Sequence, residues 1–270
     1  MGYIQWCMVL VVVSVVCTLN PVSAQCWKQV SGALKGVSVG ASGVWGVNSN
    51  DDIYYRRDTH LSVFDKGTSW QHISGKLKQI DVGYKSVWGV NTNDNIYYRS
   101  GINANSPAGT GWVQVSGGLK HVSVSDNGHV WGVNSNDDIY TRVGASNCNT
   151  AGNSWQHIGG KLKQISVGYS GVWGVNSNNH IYYRTGTYGD TGSVGTGWTQ
   201  VAGGLKYVSS CYSAVVGVNT NDQIYIREGI TAANPTGSSW KLLSGGLKVI
   251  DCFDADLYWG VNSSDNIYMS

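Results

Sequence analysis

The sequence predicts an all-β protein, a six-bladed β-propeller of four-stranded antiparallel blades whose ring is closed by the N-terminal strand. Three observations predict it. A phrase first seen as Val44-Trp45-Gly46-Val47-Asn48-Ser49-Asn50-Asp51-Asp52-Ile53-Tyr54-Tyr55-Arg56 occurs six times. Its Trp recurs at Trp88, Trp131, Trp173 and Trp259, with Val216 in the fifth copy, at steps of 43, 43, 42, 43 and 43 residues. A period this regular makes the repeat the unit of structure. Within each unit, short runs rich in Val, Ile, Trp and Tyr alternate with Asn, Asp and Gly, the pattern of an antiparallel meander. Finally, the two chain ends read as complementary parts of one unit.

The elements follow in chain order. Residues 1–24 read as a signal peptide, with an apolar run from Met8 to Cys17 and small residues at Pro21-Val22-Ser23-Ala24. The run is too short for a comfortable membrane span, so no membrane insertion is expected. The mature chain, 25–270, reads as one secreted domain. The second unit shows the four strands plainly: Lys78–Val82, Val87–Asn91, Ile96–Arg99 and Trp112–Val115. Turns fall at Gly83-Tyr84-Lys85 and Thr92-Asn93-Asp94, residues that tolerate positive φ. A single four-stranded sheet cannot cover two apolar faces, whereas a ring of blades covers each with its neighbours. A solenoid would need atypical capping repeats, and the chain has none. Trp27-Lys28-Gln29-Val30 matches a fourth strand and Ile267-Tyr268-Met269-Ser270 a third. Blade 1 is therefore expected over 34–74, and blade 6 over 247–270 plus 26–31.

A net charge of +2 argues against a nucleic-acid surface. Glycine is abundant at 37 and proline scarce at 3, while Glu228 is the sole glutamate. Many tight turns and few helices fit that composition. Past the leader, Cys26, Cys148, Cys211 and Cys252 admit three pairings. Cys211 and Cys252 fall on innermost strands of adjacent blades and are expected to bridge. Cys26 and Cys148 lie across the ring and are not expected to pair with each other; bonding to other molecules would make a homo-oligomer.

One polar set recurs in every unit. It comprises Asn48, Asn50 and Asp51; Asn91, Asn93 and Asp94; Asn134, Asn136 and Asp137; Asn176, Asn178 and Asn179; Asn219, Asn221 and Asp222; and Asn262, Ser264 and Asp265. Lys35, Lys78, Lys120, Lys163, Lys206 and Lys248 accompany it. In a meander these groups gather at one end of the ring. They read either as turn and corner residues or as a repeated sugar site, amides and carboxylates pairing hydroxyls beside Trp and Tyr rings. The Trp residues themselves are expected to pack between blades. Arg56, Arg99, Arg142, Arg184 and Arg227, at the opposite end, are expected to pair with loop acids such as Asp58 or to face solvent. Asp81 and Asp251 replace the Ser38, Ser123, Ser166 and Ser209 of the other innermost strands. They would line a water-filled channel and are the weak candidates for a metal, calcium being the cation such oxygens suit. No cofactor is otherwise expected. Asn262-Ser263-Ser264 is the sole N-glycosylation sequon. No His-Glu-x-x-His or Walker-type loop points to an enzyme.

The phrase Val-Trp-Gly-Val-Asn-x-Asn-Asp-x-Ile-Tyr-Tyr-Arg, with the preceding Gly-Gly-Leu-Lys corner, resembles the tectonin repeat. The chain as a whole is similar to the fish-egg lectins. That resemblance implies a propeller binding N-acetylglucosamine-type sugars and bacterial lipopolysaccharide, with a role in eggs or innate defence. Val216 and Ser264 depart from the pattern, and their units are where sites would be altered. The alternatives are a secreted protein-interaction propeller without sugar binding and, behind it, a secreted glycosidase using the channel carboxylates.

Overall fold

Each 43-residue unit turns its alternating apolar residues into four consecutive antiparallel strands. The computed structural model describes residues 26–270; the leader expected over 1–24 lies outside them. Blade 1 comprises β2 (Gly36–Gly40), β3 (Gly43–Val47), β4 (Asp52–Arg56) and β5 (Trp70–Lys76). Blade 2 comprises β6 (Gln79–Val82), β7 (Val87–Val90), β8 (Ile96–Ser100) and β9 (Gly111–Val115). Blade 3 is β10 (His121–Val124), β11 (Val130–Val133), β12 (Asp138–Val143) and β13 (Ser154–Lys161). Blade 4 is β14 (Gln164–Gly168), β15 (Gly171–Val175), β16 (His180–Arg184) and β17 (Trp198–Gly204). Blade 5 is β18 (Tyr207–Ser210), β19 (Val215–Val218), β20 (Gln223–Glu228) and β21 (Ser239–Gly246). Blade 6 takes β22 (Val249–Cys252), β23 (Tyr258–Val261) and β24 (Asn266–Met269) from the C-terminus and β1 (Lys28–Ala33) from the N-terminus. β1 pairs with β24 from Lys28↔Met269 to Ala33↔Asn266, so the first and last segments share one sheet.

Apolar clusters sit between blades rather than within them. Trp45, Ile53 and Ile73 of blade 1 pack with Leu77, Ile80 and Val87 of blade 2. The five inner Trp rings are at most 1% exposed. Blade 5 carries Val216 where the others have Trp, and its cluster is filled from the next blade. Tyr258 occupies the place of Val44, Val87, Val130, Val172 and Val215, and packs in the same cluster as Val216. A large-small pair has become a small-large pair at similar total size, the exchange cores tolerate best.

Innermost strands present every second residue to the axis. One tier holds Ser38, Asp81, Ser123, Ser166, Ser209 and Asp251. Asp251 Oδ2 accepts from the Val39 N–H of the next blade at 2.8 Å, and Ser38 Oγ from Val82 N–H at 3.0 Å. Asp81 Oδ2 accepts from Val124 N–H at 2.6 Å, Ser123 Oγ from Val167 N–H at 3.0 Å, and Ser166 Oγ from Ser210 N–H at 2.9 Å. The tier is thus a belt of blade-to-blade hydrogen bonds. The Cys211–Cys252 disulfide bridges blades 5 and 6 beside it, with Cα atoms 5.7 Å apart, as expected from the sequence. Cys26 and Cys148 are exposed and unpaired.

Candidate functional site

The repeated Asn-Asp turns and Lys corners do come together at one end of the ring, once per blade. Asn48 Oδ1 accepts from the Asn50 and Asp52 backbone N–H groups at 2.9 and 2.8 Å, and every unit repeats the pattern. Asp51, Asp94, Asp137, Asn179, Asp222 and Asp265 occupy the left-handed region, with φ between 63° and 66°. Their side chains accept from Lys35, Lys78, Lys120, Lys163, Lys206 and Lys248, five as ion pairs and one as an amide. Asn50, Asn93, Asn136, Asn178 and Asn221 sit exposed at the turn tips. The Asn Oδ1 atoms and the Lys–Asp pairs therefore have internal partners and build the hairpin corner.

The corner is also one wall of a groove that recurs between blades. Between blades 3 and 4 the groove is lined by Gly160, Lys161, Leu162, Asn176, Tyr182 and Trp198 and spans about 510 Å³, open to solvent. Between blades 2 and 3 it is lined by Gly117, Gly118, Leu119, Asn134, Tyr140 and Trp155, at about 410 Å³. Between blades 5 and 6 it is lined by Gly245, Gly246, Leu247, Asn262, Tyr268 and Trp27, at about 420 Å³.

Local sequence builds these walls in a traceable way. A glycine with φ near +118° bulges the outer strand at Gly75 and Gly160, shifting the register between strands three and four. The preceding carbonyl faces the next blade and takes its outer Trp: Trp112 Nε1 donates to Ser74 O at 3.0 Å, and Trp198 Nε1 to Gly159 O at 2.8 Å. All six outer Trp residues make this bond. A Cβ at Gly160 would lie 2.9 Å from Trp198 Nε1, so the bulge residue has no room for a side chain.

The arginine ring departs from expectation. Arg56, Arg142 and Arg184 are buried, Arg99 and Arg227 partly so, and among the described residues none is ion-paired with Asp58 or another acid. Each lies 5.1–5.3 Å over the outer Trp of its own blade and donates through Nε to a loop carbonyl, as Arg56 does to Lys66 O at 2.7 Å. A planar guanidinium beside an indole is held by stacking and backbone acceptors, for which no acid is needed.

The tyrosines Tyr54, Tyr97, Tyr140, Tyr182, Tyr225 and Tyr268 were not singled out by sequence. They are half-exposed in all six units, and the signal was available: this Tyr is unchanged in every copy although the residue after it varies from Tyr to Thr, Ile and Met. The blade-5 departure, Val216, lies in the core. Asn219, Tyr225 and Trp240 keep the same places in that unit, and Trp240 Nε1 donates to Ala202 O at 2.9 Å.

On the axis, a recess of about 380 Å³, open to solvent, is lined by Asp81, Asp126, Asp251, Ser123 and Ser166, with Tyr169, Tyr212 and Phe253 among its residues. Burial raises the pKa of Asp81 and, with it, Asp251; Asp126 is pushed up to about 6 by burial and then by Asp251. Among the described residues, no three His, Cys, Asp or Glu side chains form a group that could hold a metal. The oxygens of Asp81 and Asp251 are taken up by the belt, which is a poor fit to calcium. Gly36-Val37-Ser38-Val39-Gly40 has the spacing of a hydrolase nucleophile elbow, yet it lies within β2. Its Ser38 hydroxyl serves the belt rather than standing on a strand-to-helix turn.

The tectonin domain family matches residues 14–118 and 62–263, which together span nearly the whole ring. The chain belongs to the tectonin family. No curated protein matches it. Among solved structures, this tectonin propeller is similar to human WBSCR16 at 9% identity and a TM-score of 0.55, covering 87% of this chain and 71% of that one. YCF48 bound to D1 peptide matches at 14% identity and 0.53, covering 87% and 76%. A streptogramin B lyase matches at 13% identity and 0.53, covering 90% and 97%. At such identities the likeness concerns the fold alone.

Proposed function

We propose that this tectonin propeller is a secreted, multivalent lectin whose sugar sites are the grooves between blades. The observation that carries the reading is the recurrence of one wall chemistry: an indole, a phenol ring, an Asn amide and a Gly-rich strand end around a concave space. The apolar face of a pyranose suits the rings, while an acetamido group pairs naturally with amide and backbone groups. N-acetylglucosamine-type sugars are the ligand class this favours. Several weak sites on one rigid ring raise apparent affinity through effective concentration. Bacterial lipopolysaccharide, carrying such sugars together with phosphates, is the natural multivalent target, and defence in eggs or body fluids the setting. Its phosphates would meet the lysine end of the axis, where Lys35, Lys78 and Lys120 line an open basin with Gln79 and Tyr207.

The test is calorimetric titration with N-acetylglucosamine on the wild type and on Trp198→Ala. More than one sugar per chain, with one fewer in the variant, supports the reading; a stoichiometry of one, or no loss, defeats it. A second reading, a protein-interaction propeller, is favoured by the opposite face. There Phe64, Tyr84, Tyr169 and Tyr212 are 40–61% exposed, and Tyr169 stacks on Tyr212 at 4.9 Å. Pull-down by wild type but not by a Phe64→Ser/Tyr212→Ser variant, with no sugar response in either, would favour it.

A further inference from the structure

Two of the six blade junctions differ from the rest in a way that repeats. Residues 70–80 and 155–165 are nearly identical, and both place Lys where the other units have Ala33, Gly118, Gly204 or Gly246. The same two blades carry Asp52 and Asp138 after the Asn-Asp turn, where the others have Asn95, His180, Gln223 and Asn266. These substitutions belong together. Lys76 Nζ donates to Asp52 Oδ1 at 2.6 Å and to Asn50 O at 2.9 Å; Lys161 Nζ donates to Asp138 Oδ1 at 2.6 Å and to Asn136 O at 2.9 Å. Each ammonium is thus fixed by two acceptors and keeps a third N–H for a ligand, on side chains that are 60% exposed.

Lys161 lines the groove between blades 3 and 4, which at about 510 Å³ is larger than its counterparts of about 410 and 420 Å³ that have glycine there. Lys76 is the equivalent residue of the repeat at the junction of blades 1 and 2. A second donor, an Asn amide of the following blade, accompanies the lysine. Asn48, Asn134 and Asn219 spend their Nδ2 groups on Asp52, Asp138 and Gln223. Asn91, Asn176 and Asn262 accept through Oδ1 from their own turns and make no bond through Nδ2 among the described residues, but the groove of Asn262 has Gly246 in place of the lysine. Asn176 lines the groove with Lys161, and Asn91 and Lys76 are the equivalent residues of the repeat at the junction of blades 1 and 2. Of these three grooves, only that between blades 3 and 4 carries both a lysine and an amide with a free Nδ2, and the repeat gives the junction of blades 1 and 2 the same pair.

We infer that the grooves between blades 1 and 2 and between blades 3 and 4 form a separate class of site, selective for sugars bearing an anionic substituent, carboxylate or phosphate. The paired Asp side chain is 24% exposed against 60% for the lysine, so an anion arriving from solvent meets the positive end first. The inference rests on the grooves being sugar sites. Each groove has its own reporter, the indole N–H of its outer Trp: Trp112 and Trp198 for the two special grooves, Trp27, Trp70, Trp155 and Trp240 for the others.

The experiment follows the indole resonances by NMR during titration with N-acetylglucosamine, N-acetylglucosamine 6-phosphate and inorganic phosphate. The phosphorylated sugar is expected to shift Trp112 and Trp198 at roughly two- to fivefold lower concentration than the other four, the range of an exposed ion pair. The neutral sugar should show no such split. Lys76→Gly with Lys161→Gly installs the residue found in blades 2, 4 and 5 and should abolish the preference; Lys76→Gln with Lys161→Gln should do the same while keeping side-chain length. A uniform response of all six reporters to the phosphorylated sugar overturns the inference, as does a preference that survives both variants or is reproduced by inorganic phosphate alone. Silence of all six reporters to every ligand sinks the groove reading and this inference together. A response of Trp112 and Trp198 to the phosphorylated sugar alone upholds the inference and removes the neutral sites.

Discussion

His121 is the least satisfied polar side chain on the axis, and replacing it by glutamine should stabilise the propeller in a pH-dependent way. It is 8% exposed, neither ring nitrogen has a partner, and the ring meets Tyr207 edge-on at 5.9 Å. Gln79 and Gln164 fill the equivalent places in blades 2 and 4. Each bridges to the next blade: Gln79 to Val122 N–H and O at 3.0 and 2.8 Å, Gln164 to Val208 N–H and O at 3.1 and 2.8 Å. In His121→Gln the same bridge should form to Ile165. Relieving unpaired buried nitrogens and adding two hydrogen bonds is worth about 1–3 kcal/mol at pH 7.

A second contribution grows on acidification. Burial, then Lys120 and Lys78, lowers the His121 pKa to about 3. A depressed histidine supports stability above its unfolded pKa of about 6.5 and withdraws it as pH falls, because only the unfolded chain takes the proton. At pH 5, still above the folded value, that withdrawal is about 2 kcal/mol, against about 0.2 kcal/mol at pH 7. The gap between variant and wild type should therefore widen by about 2 kcal/mol between pH 7 and pH 5. Urea unfolding at the two pH values measures it. A gap that is absent at pH 7 and flat with pH would refute both the unpaired-nitrogen argument and the burial argument.

Other outcomes follow from the same structure. Asp126→Asn should raise the melting temperature at pH 7.5 and leave it unchanged at pH 3.5, since a carboxyl raised to about 6 loses its stabilising protonated form as pH rises through that value; an equal shift at both pH values would contradict this. Gly89→Ala should cost about 1–3 kcal/mol in chemical denaturation, because the new Cβ would come 2.6 Å from Leu77 Cδ1 and 2.7 Å from the Gln79 carbonyl oxygen. Reducing the Cys211–Cys252 bridge, which closes a separation of 41 residues, should lower stability by about 4 kcal/mol on the chain-entropy argument; an unchanged urea midpoint with dithiothreitol would count against it. Binding to lipopolysaccharide should weaken between 0.1 and 1 M salt while affinity for neutral N-acetylglucosamine holds, as the Debye length falls from about 10 to 3 Å. Parallel salt dependences would exclude a phosphate contribution at the lysine end.

The sequence alone determined the repeat, the four strands of each blade, the closure through Trp27–Val30 and the Cys211–Cys252 pairing. All of these follow from short-range patterning and from a period that leaves one consistent way to cover every sheet face. Strand limits in the second unit differ from expectation by no more than a residue at either end. Only the tertiary structure decided what the polar residues do. Asn48 and its equivalents read equally as turn or ligand residues in one dimension; in three, the Oδ1 atoms are consumed by their own turns and Asp51 by Lys35. The groove joins Trp198 and Tyr182 of one blade to Gly160 and Lys161 of the blade before. Such a wall is a property of two units, and a pattern read along one unit does not contain it. The arginines show the same limit: guanidinium and indole are fourteen positions apart in Arg56 and Trp70, and only strand pairing lays one over the other. Side-chain alternation and turn chemistry are local and visible in a string of residues; burial, stacking and the meeting of neighbouring blades depend on how the sheets face one another.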